Sequence, residues 1–344
     1  MTRSDVRPGP AVLDGSARPR GQHVVRHVLS EAESHRLRDV ASAAAEEYWH
    51  PEAAEFLADV HVIAQELPEG LRRAVNRARL DERAQAVVVA GNPLQESLLG
   101  ATPRHWRDED TVEALLAGFV LMLEGALLGD AIGWSTQQDG RIVTDVLPIH
   151  GMEESLVSSS SHKELTWHTE DAFSPHRADY VGLLCLRSGE PTPTTLSYVD
   201  ATVLPEDVRA VLAEPRFVFA ADHSHDMSLS TTGTGVTQAP VLGGPVDAPV
   251  LRIDRDFTSV AAEDDEEAKR ALDHLVAHLD ANLYDVLLGP GELGFIDNRN
   301  AVHGRRPFTP RYDGNDRWLK RVNLAVDLRR TRPGRVAPDT RVIG

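Results

Sequence analysis

The sequence predicts a mainly β fold with helical additions: an antiparallel sandwich or jelly-roll core flanked by helices. Two observations carry this. Between residues 131 and 328, short runs of strand-forming residues recur, most of them separated by turn residues. Ahead of them, the first third of the chain shows apolar residues at helical rather than alternating spacing.

Taken in order, residues 1–25 hold Pro8, Pro10, Gly15, Pro19 and Gly21 without periodicity and read as a flexible N-terminal arm. The remainder, 26–344, reads as one domain, with a helical layer over 26–129 and the jelly-roll core over 130–330. Ser30 and Glu33 stand in capping-box spacing ahead of a helix reaching about Tyr48. Amphipathic stretches follow at Ala53–Glu66 and Pro68–Leu80. An apolar helix spans Thr111–Leu128 and stops near Gly129. Ala131–Trp134 and Ile142–Leu147, joined by Gln137-Gln138-Asp139-Gly140, read as a hairpin. Strand-like runs then appear at Tyr180–Leu186, Thr195–Val199, Phe217–Ala220, Val250–Ile253, Leu293–Ile296 and Trp318–Leu328. One helix, about Glu263–Tyr284, interrupts them and opens on an acidic run that suits its dipole. Two loops stand out. Ser158–Ser161 precedes the segment holding His168, and residues 222–249 are rich in Ser, Thr, Gly and Pro. The second is long enough to read as a lid.

The formal charge of −17, from 36 basic and 53 acidic side chains, argues against binding nucleic acid or an acidic membrane, since both demand a basic face. The lone cysteine, Cys185, excludes an internal disulfide framework and sits in an apolar run that makes it a buried strand residue. With no apolar leader and no stretch of membrane-spanning length, the expected location is the cytoplasm. Composition is silent on oligomeric state.

Chemistry concentrates in Thr166-Trp167-His168-Thr169-Glu170. A histidine and a carboxylate two apart on an extended segment share a face. His303, in the turn-like Asp297–Phe308 segment, supplies a second imidazole. Two imidazoles and a carboxylate cap one face of an octahedral metal, the arrangement of non-haem Fe(II) oxygenases, though the same set also makes a catalytic zinc site. Arg317 and Arg321, four apart on a strand, share a face and could each grip a carboxylate. An oxygenase using 2-oxoglutarate needs one such cation, whereas a zinc hydrolase has no use for it. Asp254 and Asp256 in Ile253-Asp254-Arg255-Asp256-Phe257 project to one face as a fork suited to a guanidinium. His162, His176, His223 and His225 flank the constellation, and nothing in the sequence makes them ligands.

Over roughly residues 110–330, His168-Thr169-Glu170, the Asp297–Phe308 segment and the Arg317/Arg321 pair resemble the clavaminate synthase-like branch of the Fe(II)/2-oxoglutarate oxygenases. Within it, the likeness is greatest to the free L-arginine hydroxylases of peptide-antibiotic pathways (viomycin- and streptothricin-type). The resemblance implies a double-stranded β-helix core, iron on His168, Glu170 and His303, and O2 and 2-oxoglutarate as cosubstrates. It implies that Arg317 binds the distal carboxylate of 2-oxoglutarate with Thr195 as hydroxyl partner. Arg321 would take the carboxylate of an amino-acid substrate, and Gln137 and the outer oxygen of Glu170 its amine. Asp254 and Asp256 would take the guanidinium, with Asp222 closing over it from the long loop. The implied reaction is hydroxylation of free L-arginine at Cβ. A cyclised arginine derivative (enduracididine or capreomycidine), lysine or asparagine would be the alternative substrate.

Overall fold

The computed structural model describes residues 21–153, 159–230 and 238–344. Most of the expected N-terminal arm, Ser158 and the centre of the 222–249 loop lie outside the described residues.

Helix α1 (Glu31–Tyr48) starts as its capping box dictates: the Ser30 hydroxyl accepts from the Glu33 amide, and the Glu33 carboxylate accepts from the Ser30 amide. It is followed by α2 (Ala54–Ile63), α3 (Glu69–Leu80) and α4 (Val112–Gly125), the last capped by Thr111. Their apolar faces meet through Leu37, Phe56, Leu71 and Phe119, with the two phenylalanine rings edge to face at 4.8 Å. This third is not purely helical, however. β1 (Val24–Val28) and β2 (Ala86–Ala90) pair in parallel within it, and β1 claims two residues of the expected arm. Ala86-Val87-Val88-Val89-Ala90 is buried throughout, so it offers no alternation for a period-two pattern to detect.

The expected hairpin at 131–147 does not form either. β3 (Asp130–Trp134) and β4 (Val143–Val146) both pair antiparallel with β15 (Trp318–Ala325), β3 against residues 323–325 and β4 against 319–322. They run end to end along one edge of that strand. The intervening residues loop out and return, helped by left-handed φ at Gln138, Asp139 and Gly140.

The remaining strands are β5 (Leu165–His168), β6 (Tyr180–Arg187), β7 (Thr194–Tyr198), β8 (Phe217–Phe219), β9 (Leu242–Gly243), β10 (Val250–Leu251), β11 (Thr258–Val260), β12 (Tyr284–Val286), β13 (Leu293–Asp297), β14 (Ala301–Arg305) and β16 (Val342–Ile343). The helices α5 (Glu206–Leu212) and α6 (Glu266–Ala281) accompany them. One sheet is ordered β1-β2-β13-β6-β15-β3-β16, with β4 also on β15, and the other β12-β7-β14-β5. Together they make the two walls of a jelly roll.

Side-chain alternation assigns each strand's faces. Val87, Leu184, Phe295, Trp318, Val322 and Leu324 pack under the helices, whereas Ala86, Leu183, Cys185, Ile296 and Leu319 face the second sheet. On that second sheet Leu196 and Ala301 face inward, while Trp167 and Val302 pack outward in the cluster that includes Leu275 and Leu279 of α6. By the same parity Arg321 points between the sheets, as do His168 and His303 opposite it. Among the described residues, no helix is long and apolar enough to cross a membrane.

Candidate active site

His168 ends β5 and His303 sits mid-β14, and the two are direct cross-strand partners. The sequence made His303's segment turn-like, but it is a strand from Ala301 onward. Gly304 explains how β14 comes so close to β5: a Cβ there would lie 2.4 Å from the Leu165 carbonyl oxygen. The imidazole centroids are 4.6 Å apart. The His168 Nδ1 sits 2.9 Å from the Thr166 carbonyl, which turns Nε2 toward Glu170. Glu170 Oε2 is 3.7 Å from that nitrogen and 3.4 Å from His303 Nε2. These three donors lie within 4.8 Å of one another, and all three residues are buried. The His303 Nδ1 is buried and has no hydrogen-bond partner among the described residues.

This donor set fits a divalent metal. Burial opposes ionisation of Glu170, but Arg321 and the two imidazoles hold its carboxyl well below the usual range. Burial likewise works against a charge on His168, yet Glu170 and Asp254 outweigh it and lift the imidazole to about 9. The cluster thus binds a proton tightly at a point where a cation would displace it. Glu170 is also clamped through its backbone. The Asn298 Oδ1 accepts its amide at 2.7 Å, and the Asn298 Nδ2 donates to the carbonyls of Glu170 and Ala178. Nothing in the sequence singled out Asn298.

Arg321 reaches across from β15. It pairs with the outer oxygen of Glu170 at 2.8 Å, with Thr144 Oγ1 at 3.2 Å and with Gln137 Oε1 at 2.5 Å. Gln137 in turn donates to Ser224 Oγ at 2.7 Å, tying the site to the start of the long loop. Asp222 lines the same cavity and holds Ser224 through its Oδ1. The histidine given no role, His225, anchors this loop. Its ring contacts Thr136 Oγ1 at 2.7 Å and Asp171 Oδ1 at 3.1 Å, and Asp171 also accepts from Trp134 Nε1 and Asn323. Buried pairs of this kind leave no mark in composition or spacing.

Arg317 lines the cavity too, buried and with no hydrogen-bond or ion-pair partner among the described residues. Burial alone brings its guanidinium down to about 10. Beside it stands Arg305, brought down to about 9 by burial and by Arg317. Arg305 is held by Ser160 Oγ and the carbonyls of Ser161 and Lys163, and stacks 5.0 Å over Phe308. The inward hydroxyl here is Thr194 rather than Thr195. Leu196 faces the inter-sheet core, and Ser197 donates to the Leu279 carbonyl on α6. Alternation therefore turns Thr195 away with Ser197 and leaves Thr194 on the cavity wall.

The acidic fork also differs from its expected geometry. Residues 254–257 form a turn, not a strand. Asp254 Oδ1 accepts the amides of Asp256 and Phe257, as aspartate commonly does at such a turn. Asp256 instead takes the Thr166 hydroxyl at 2.7 Å. Both remain close to the metal strand, since Asp254 forms a β-bridge with His168. Burial and Asp222 push the Asp254 carboxyl up, only partly offset by His168, and no Lys or Arg pairs with it among the described residues.

The chain is 38% identical over 326 residues to the enduracididine beta-hydroxylase of Streptomyces hygroscopicus, covering 88% of this chain and 95% of that one. It is 40% identical over 302 residues to the L-ornithine/L-arginine 3-hydroxylase of Catenulispora acidiphila, covering 81% and 88%. The crystal structure of the non-heme iron oxygenase OrfP with Fe, succinate and (3S)-hydroxy-L-Arg superposes with a TM-score of 0.88 at 37% identity, over 93% of this chain and 99% of that one. Residues 107–323 match the taurine catabolism dioxygenase TauD, TfdA family, and the chain belongs to it.

Proposed function

We propose that this protein is an Fe(II)/2-oxoglutarate-dependent hydroxylase of free L-arginine, acting at Cβ in the making of a peptide natural product. The observation that carries the substrate is the separation of charge around the metal ligands. Arg321 stands on one side with Gln137 and Glu170, whereas Asp254, bridged to His168, and Asp222 pair with no Lys or Arg among the described residues. An amino acid with a cationic end complements both. Its α-carboxylate goes to Arg321 and its amine to Glu170 Oε1 and Gln137. Its guanidinium goes to Asp254, with Asp256 and Asp222 beside it. OrfP has been crystallised with Fe and L-Arg, in agreement with this reading.

His168, Glu170 and His303 would hold the iron. Together with 2-oxoglutarate and O2, bound iron supplies the oxidising power for C–H hydroxylation, with succinate and CO2 as coproducts. The chain's residues do the rest. Arg317, with Thr194, takes the distal carboxylate of the co-substrate and so fixes its keto-acid end toward the ligands. Arg321 and the acids tether the amino acid at both ends, which selects one carbon. A misplacement of about 1 Å can cost about a hundredfold in rate. Asn298 keeps the Glu170 backbone from drifting.

The test is turnover of an amino-acid panel (L-arginine, enduracididine, L-lysine, L-asparagine) with Fe(II), 2-oxoglutarate and air. Succinate release and product mass are measured, and the hydroxyl position by NMR. Arginine should show the highest kcat/KM, with one oxygen added at Cβ. Asp254→Asn should lower kcat/KM for arginine by about a hundredfold and for asparagine far less. Equal losses on both would remove the acidic contact, and no oxygen added to arginine would remove the proposal. Enduracididine, which keeps a cyclic guanidine, is the second reading, favoured by the 38% identity to its β-hydroxylase.

A further inference from the structure

A second pocket, of about 220 Å3 against about 50 Å3 for the cavity at the metal ligands, lies behind Arg317. Thr194 and Arg317 line both. Its walls are Leu288, Leu319 and Thr192, and its rim includes Pro191 and Leu287, which are exposed. Its rim is therefore open to solvent, and neither Asp222 nor Ser224, which line the cavity at the metal ligands, is among its lining residues. Among the described residues, no carboxylate lines it. In a chain of net charge −17, an acid-free funnel ending at an unpaired guanidinium is a path suited to anions. Gly189, at φ +57°, lies so close over Arg317 that a Cβ would come within 2.5 Å of the Arg317 amide nitrogen.

In the cavity at the metal ligands, Arg321 is tied through the buried Gln137 to Ser224. Every turnover nonetheless requires a dicarboxylate to leave and another to arrive. We propose that the pocket behind Arg317 is the port through which 2-oxoglutarate enters and succinate leaves, separate from the approach of the amino acid. The proposal rests on the reading of Arg317 as the co-substrate's carboxylate partner.

A port changes rates of entry and exit equally and leaves affinity alone, because it lies on the path and not at the endpoint. The experiment uses Fe(II)-loaded full-length enzyme under nitrogen. Stopped-flow absorbance of the 2-oxoglutarate complex gives its association rate, and a chase with excess succinate gives its dissociation rate. Ser188 also lines the pocket, so Ser188→Trp and Leu287→Trp narrow it, and Leu287→Ala widens it. Both tryptophan variants should slow association and dissociation together by about tenfold, with Kd within about twofold of wild type and arginine association unchanged. Leu287→Ala should be as fast as wild type or faster. Unchanged 2-oxoglutarate rates in both tryptophan variants, at wild-type melting temperature, overturn the port, as does slowing of arginine instead. Arg317→Met separates the two claims. If it leaves the Kd for 2-oxoglutarate unchanged, the carboxylate reading fails and the port with it. If it abolishes binding while the rim variants exchange normally, only the port fails.

Discussion

Replacing Arg317 by methionine should stabilise the protein while disabling it. The guanidinium is buried, stands beside Arg305 and has no acid to pair with among the described residues. Its fall from the ordinary arginine value to about 10 comes from burial. At about 1.4 kcal/mol per tenfold change in the proton equilibrium, holding it charged costs the fold roughly 3 kcal/mol at neutral pH. Methionine keeps the apolar stem and removes the charge, so most of that cost should be recovered. With an unfolding entropy of about 2.1 cal/mol/K per residue, a chain of 344 residues should gain about 4 °C in Tm. Affinity should move the other way. Truncating one partner of a buried charge-assisted pair costs about 2–5 kcal/mol, so the KM for 2-oxoglutarate should rise by about a hundredfold or more. Scanning calorimetry without co-substrate and steady-state kinetics read the two effects. A variant with a lower Tm, or one with an unaltered KM, would refute the view that this cation is held in readiness for an anion.

Three further outcomes are expected. Glu124 of α4 is buried with neither oxygen bonded among the described residues, and burial raises its carboxyl from 4.5 to about 8. The folded state therefore holds a proton that the unfolded state releases. Its stabilising effect is full below pH 4.5 and is lost as pH rises through about 8, with about 3 kcal/mol gone by pH 7. Urea unfolding at pH 5 and pH 8 should show wild type weakening across that range and Glu124→Gln much less so; parallel losses would contradict the assignment. Asn298→Ala frees the Glu170 backbone and should weaken Fe(II) binding by about 10–100-fold, measured by metal titration under nitrogen. An unchanged Kd would make Asn298 a purely structural residue. Thr194→Val should raise the KM for 2-oxoglutarate about fivefold, the worth of one hydrogen bond, and Thr195→Val should not; the reverse order would restore Thr195.

What the sequence disclosed follows a physical division. His168, Glu170, Arg317 and Arg321 were legible because period two acts over a few residues, and extended chain needs no tertiary information to place i and i+2 or i and i+4 on one side. His303 was expected beside His168, but that the two are cross-strand partners was not readable, because register between segments 135 residues apart is a property of the sheet. The strands between turns were mostly legible, whereas Ala86–Ala90 was hidden by burial on both faces. Where the reading erred, it erred on parity or local conformation. Thr195 is one residue out. The Asp254/Asp256 fork assumed strand geometry in a segment that aspartate had already turned.

The charges around the metal ligands give these details a common logic. Among the described residues, neither Arg317 nor Arg305 pairs with an acid, and neither Asp254 nor Asp222 pairs with a Lys or Arg. Between them Arg321, Glu170 and Gln137 satisfy one another. An α-amino acid can replace that internal pairing only if it brings both a carboxylate for Arg321 and an amine for Glu170 and Gln137. A ligand with one of the two would leave a buried charge or dipole unpaired, at a cost of about 1–3 kcal/mol or more. On the reading proposed above, a free amino acid would be selected by the contacts that must be broken, and arginine among amino acids by the acids near His168. The two decisions fall on different residues, so one can be altered by mutation without the other.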